Sequence, residues 1–182
     1  MISCILYLRY CIIRLKTSKH SSQSAKYCLK MSNPYHLLAT GFGSGLSPII
    51  PGTIGSLVSI ILWLLLIQLP WYIYSVIATL SIYVGVYACQ KTAKDMQEHD
   101  HKSIVWDEFI GMHITLIDLP VNNWEWVLGG FLIFRVLDIW KPWPIRWFDS
   151  NLHNGIGIIV DDIVAGILSV MMIYIIEQII NL

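Results

Sequence analysis

The sequence predicts an all-α fold, a polytopic membrane-embedded helical bundle with about five transmembrane helices and a Gly/Pro-rich re-entrant or half-helical segment. Three observations predict it. Hydrophobic residues make up 55% of the chain and charged residues 13%, too few charges to cover a water-facing surface. Five apolar stretches follow one another between Ile54 and Ile180. Eight Trp and nine Tyr supply the aromatic anchors typical of a membrane interface.

The stretches justify themselves in order. Ile54–Leu69 is stopped by Pro70, and Tyr72–Cys89 follows, with Trp71 and Tyr72 at an interface. Ile104–Leu119 ends at Pro120, Trp124–Trp140 is the fourth stretch, and Ile163–Ile180 the fifth. Several fall short of the ~20 residues that a ~30 Å hydrocarbon core requires, a deficit that tilt or bilayer thinning covers. His36–Gly55 is apolar but broken by five glycines and two prolines, which makes it the re-entrant candidate.

The 182 residues suit one compact unit, with a basic tail or surface helix over 1–30 and a membrane domain over 31–182. The net charge of zero hides an asymmetry: Arg9, Arg14, Lys16, Lys19, Lys26 and Lys30 precede the first acid, Asp95. The positive-inside rule then puts the N-terminus in the cytoplasm. The loops holding Lys91, Lys94 and Lys102, and Lys141 and Arg146, return to the same side, while the loop Pro120–Asn123 carries no Lys or Arg. No basic run continues into a folded surface, so nucleic acid is not an expected partner, and nothing specifies a protein partner. Cys4, Cys11, Cys28 and Cys89 form no CxxC pair and read as free thiols. Met1–Leu15 lacks a signal-peptide pattern and leaves two readings, a surface helix or upstream sequence before a start at Met31.

Three charged groups sit at the cytoplasmic ends of three stretches. Asp107 and Glu108 open the third, Arg135, Asp138 and Lys141 close the fourth, and Asp161 and Asp162 open the fifth. One acidic pair at a helix start is explained by capping and the helix dipole. Two pairs at one membrane depth repel unless a cation compensates, and carboxylate oxygens suit Mg²⁺. Asp107, Glu108, Asp161 and Asp162 are therefore the candidate metal ligands, and with Asp138 the candidate catalytic acids. Arg135-x-x-Asp138-x-x-Lys141 lies on one helical face, and Arg135 and Lys141 suit phosphate. The glycine-rich run offers backbone N–H groups to an anion, with Gly43, Ser44 and Thr53 as candidate phosphate contacts. His99-Asp100-His101 lacks the further ligands of a zinc site and reads as a polar loop; His113 and His153 have no assigned role. Trp140–Trp147 reads as an interfacial stretch.

Four segments, Pro51–Ser56, Ile104–Gly111, Arg135–Pro142 and Asp161–Gly166, together resemble the bacterial phosphatidylglycerophosphatase A family, over about Lys30 to Tyr174. The resemblance implies a Mg²⁺-dependent phosphatase of the bacterial inner membrane. Its substrate would be phosphatidylglycerophosphate and its products phosphatidylglycerol and inorganic phosphate, with the acids facing the cytoplasm.

Rival classes fit less well. A CDP-alcohol phosphotransferase would carry an Asp-Gly-x-x-Ala-Arg run, and a cysteine phosphatase a Cys-x5-Arg loop; neither occurs. A small transporter or channel with an acidic ion site predicts charges near span centres, whereas these cluster near span ends.

Overall fold

The structure, a computed structural model, describes residues 29–98, 101–117, 119, 123–152 and 155–180. The tail over 1–28, His99, Asp100, His153 and the turn at 120–122 lie outside the described residues. Every regular element among those described is helical. In chain order they are α1 (Pro34–Ala39), a 3₁₀ turn (Ser44–Leu46), α2 (Pro51–Leu66), α3 (Trp71–Met96), α4 (Trp106–Leu116), α5 (Trp124–Trp140), α6 (Ile145–Asn151) and α7 (Gly155–Ile180).

Local chemistry sets the boundaries. Asn33 caps α1 by accepting the Tyr35 N–H at 3.1 Å, and Pro34 takes the first helical position, where its missing N–H costs nothing. Pro51 does the same for α2. Pro70 cannot continue the preceding helix and stands immediately before α3. The glycine-rich run His36–Gly55 is not one continuous helix. It is the end of α1, a tight turn with positive φ at Gly41, Phe42 and Gly43, and the start of α2. The turn is tied to the segment before α4 by a Val105 N–H to Ala39 carbonyl bond of 2.9 Å.

Among the described residues, two helices, α3 and α7, with 26 residues each, are long and apolar enough to cross a bilayer. At 1.5 Å per residue each spans roughly 39 Å, more than a hydrocarbon core. Both turn apolar side chains outward: Val76, Leu80, Tyr83 and Val84 on α3, and Ile167, Met171, Ile175 and Ile179 on α7, are exposed. α2 and α5 are shorter, and α4 has 11 residues, about 16 Å, where the sequence predicts a third full span. The fifth apolar helix begins at Gly155 rather than near Ile163, and the second continues past Cys89 to Met96.

α4 lies at the centre, packed against α2, α3, α5 and α7. Its Phe109 and Ile110 join one buried cluster with Ile158 and Ile159, and its Met112 and Leu116 join a second with Trp63 and Phe134. Two buried hydroxyls bond inside their own helices: Thr115 donates to the Gly111 carbonyl and Ser169 to the Ala165 carbonyl. The crossing of α4 and α7 is close because it is made of glycine. A Cβ on Gly166 would stand 2.6 Å from the Gly111 carbonyl oxygen, and one on Gly111 2.7 Å from that of Asp162. Gly166→Val therefore forces the two helices apart, and we expect a loss of about 1–3 kcal/mol. Gly129, whose added Cβ meets nothing within 4 Å, is the control. Thermal unfolding in detergent should lower the midpoint for Gly166→Val and not for Gly129→Ala.

The N-terminal edge is pinned by a histidine. His36 is buried, its Nδ1 accepts the Lys30 N–H at 3.0 Å, and its Nε2–H donates to Asp95 at 3.0 Å. Asp95, the first acid of the chain, thus ties α1 to α3.

Candidate active site

The α4–α7 crossing and the end of α5 enclose a cavity of about 360 Å³, lined by Asp107, Glu108, Arg135, Asp138, Lys141, Asp161 and Asp162 and rimmed by Ile50, Pro51, Gly52, Thr53, Lys102, Ile104 and Ile139. The three charged groups that the sequence separates are brought to one place. α4 and α7 run away from the cavity while α5 runs into it, so the first turn of α4, the second turn of α7 and the end of α5 share a level.

The acids are not equivalent. Asp107 and Glu108 occupy the first turn of α4, and the Asp107 carboxylate accepts the Glu108 N–H at 3.1 Å. Asp161 and Asp162 do not open a helix: α7 begins at Gly155, so both sit more than a turn inside it, and capping does not explain them. Asp107, Glu108 and Asp162 each place one carboxylate oxygen within 4.8 Å of the others. Asp161 faces elsewhere; its Oδ2 lies 2.7 Å from the Lys141 ammonium, which also donates to Asp149 at 2.6 Å. Burial acts to lower the Lys141 pKa, but Asp161 and Asp149 outweigh it and hold the amine well above its ordinary range. Lys141 stays charged at any working pH.

Arg135 is held on three sides. Its guanidinium lies 2.6 Å from Asp138 and 3.8 Å from Glu108, and donates to the buried Ser56 hydroxyl at 3.3 Å. Two buried polar atoms in this cluster, Glu108 Oε2 and Arg135 Nε, have no hydrogen-bond partner among the described residues. Gly52 makes the approach possible: a Cβ there would overlap Glu108 Oε1 and stand 3.2 Å from Arg135 Nη2.

Three carboxylates around one point, with an orphaned buried oxygen on Glu108, form a donor set that fits a hard divalent cation. The charge balance points the same way. Five carboxylates and three cations line the cavity, an excess of two negative charges when all are ionised.

Of the glycine-rich residues, Thr53 reaches the cavity rim, and Gly43 and Ser44 do not line it. The tight turn points the Ser44 hydroxyl back to the Thr40 carbonyl at 3.4 Å. Gly52, at the start of α2, stands in their place. His101 is buried outside the cavity lining, and its Nδ1 accepts the Ser103 N–H at 3.1 Å. His113 donates from Nδ1 to the Phe109 carbonyl at 2.7 Å and stacks on Tyr74. Trp140, Trp143 and Trp147 are exposed, as an interfacial stretch requires. Sequence reasoning missed Ser56 as a partner of Arg135, Lys102 as a rim cation, and Asp149. The Pro51–Ser56 segment carried a signal for the first; Lys102 and Asp149 carried none.

Fold and site together define a helical protein with a buried acidic centre gathered from the ends of its apolar helices. A family model described as Phosphatidylglycerophosphatase A matches residues 37–177. The chain is 65% identical over 150 residues to phosphatidylglycerophosphatase A of Escherichia coli, covering 82% of this chain and 87% of that one. It is 48% identical over 150 residues to phosphatidylglycerophosphatase A of Haemophilus influenzae, covering 82% of this chain and 92% of that one. No solved structure matches it. The chain belongs to the phosphatidylglycerophosphatase A family, a family of phosphoric monoester hydrolases.

Proposed function

We propose that this protein hydrolyses phosphatidylglycerophosphate to phosphatidylglycerol and inorganic phosphate, with Mg²⁺ as cofactor, at the cytoplasmic face of the bacterial inner membrane. The observation that carries the reading is the Asp107–Glu108–Asp162 cluster beside two anchored cations, in a chain 65% identical to a named phosphatidylglycerophosphatase.

Asp107, Glu108 and Asp162 would hold the cation. Once bound, it supplies Lewis-acid polarisation of the phosphoryl oxygens and acidifies a water for attack on phosphorus. Asp161, occupied by Lys141, leaves the metal set that the sequence suggests and joins the groups that place a cation at the phosphate. Arg135 keeps donors beyond those given to Asp138 and Ser56, and Lys141 keeps one N–H beyond those given to Asp149 and Asp161. Both cations offset charge on the phosphoryl group in transfer. The N-terminal turn of α2, at Gly52 and Thr53, turns backbone N–H groups to the same cavity rim.

The exposed apolar surfaces of α3 and α7 support the membrane placement. The cytoplasmic orientation of the site acids rests on the positive-inside reading of Lys91, Lys94, Lys102 and Arg146. The substrate's acyl chains stay among lipids while its phosphomonoester reaches the cavity from the interface. Apolar side chains at the rim, Ile50 and Ile139, are exposed and suit contact with the lipid.

Phosphate release from phosphatidylglycerophosphate by purified protein in detergent tests the reading. We expect release with Mg²⁺ and none with EDTA, restored by added Mg²⁺. No release by folded protein with Mg²⁺ would sink the phosphatase reading and bring forward that of an ion transporter.

A further inference from the structure

We propose that Asp149 is a positioning residue for phosphate binding, holding the Lys141 ammonium against Asp161 at the cavity wall with one N–H left for the phosphate. This rests on the phosphatase reading above and adds a residue that the sequence motifs do not contain. An ammonium has three N–H donors, and Lys141 spends two of them, at 2.6 Å on Asp149 and 2.7 Å on Asp161.

The pairing depends on a backbone turn. α5 ends at Lys141 in the left-handed region, φ 45°, and the chain folds back so that α6 carries Asp149 alongside. Asp149 is outside the cavity lining and its side chain is 40% exposed, so it acts on the site through Lys141. A half-exposed ion pair contributes little to stability, so stability alone does not account for it. Its effect is geometric. Lysine has a long flexible stem, and with Asp149 gone the ammonium is free to swing toward Asp107 and Asp162 in the same cavity, where it neutralises the carboxylates meant for the cation.

The test is titration of the purified full-length protein with inorganic phosphate in the presence of Mg²⁺, a readout that needs no turnover. Asp149→Ala should weaken phosphate binding about tenfold, as loss of a charge-assisted contact does, and Asp149→Glu should recover most of it. The lipid KM should rise in proportion while kcat changes little. In a Lys141→Met background, Asp149→Ala should change nothing further, because the coupling runs through Lys141. Wild-type phosphate affinity in Asp149→Ala, an equal loss in the Lys141→Met background, or no phosphate binding by wild type would each overturn the proposal. Failure of the phosphatase reading shows separately, as absence of lipid phosphate release by wild-type protein.

Discussion

Asp162→Asn is expected to lower kcat/KM for phosphatidylglycerophosphate by roughly 10³-fold, about 4 kcal/mol of transition-state stabilisation. The substitution keeps the shape of the side chain and removes one of three oxygen ligands gathered within 4.8 Å. It should leave the protein at least as stable in the absence of Mg²⁺. Asp107, Glu108 and Asp162 are crowded acids in a largely buried site, and deleting one negative charge relieves repulsion among the rest. The two effects therefore run in opposite directions, which a merely structural role for Asp162 does not produce. Melting curves with and without Mg²⁺ give the second readout. A ligand that binds the folded state raises the midpoint, so Mg²⁺ should stabilise the wild type and stabilise Asp162→Asn much less. Equal Mg²⁺ stabilisation of both proteins would remove Asp162 from the cation site.

Arg135→Met has the second largest expected effect, and it acts on both activity and folding. Removing the guanidinium withdraws a cation from the phosphate and leaves the largely buried Asp138 without the partner that stands 2.6 Å away. We expect kcat/KM to fall by about 10²-fold. Stability should fall by about 3 kcal/mol, the usual result of leaving a buried charge unpaired. The double variant Arg135→Met/Asp138→Asn separates the two consequences: it should recover the melting temperature and not the activity. Arg135→Lys should rescue activity poorly: Nη1 alone makes the contacts to Asp138, Glu108 and Ser56, and a lysine lacks the Nε and Nη2 donors left for the phosphate. Recovery of activity in the double variant would show that Arg135 serves packing rather than phosphate.

Much of the helical architecture was legible in the apolar stretches because helix breakers separate them. Pro70 divides α2 from α3, and Trp124 and Trp140 bound α5 where the sequence predicts. The helix ends away from such breakers were not legible. Gly155-Ile156-Gly157 looks like loop, yet Gly155 packs on the Val86 carbonyl and Gln90, and Gly157 approaches the Leu152 carbonyl, contacts that no side chain would permit. Tertiary packing thereby recruits glycines into α7 against their weak propensity and moves Asp161 and Asp162 from a cap into a helix interior. What the glycines of the run before α2 do was not legible either: they serve close approach to Ser103 and Val105 and positive φ in a turn.

The same division holds for the site. The sequence by itself determined the chemical inventory: five carboxylates with Arg135 and Lys141, placed near the ends of helices that must alternate in direction, so that they share one level. Which carboxylate serves which cation was decided by the tertiary structure alone. Asp161 and Asp162 part company, since successive residues on a helix point about 100° apart, whereas Asp107 and Glu108 in the first turn of α4 stay together. Asp162 therefore joins Asp107 and Glu108, while Asp161 turns to Lys141 and, through it, to Asp149 on α6.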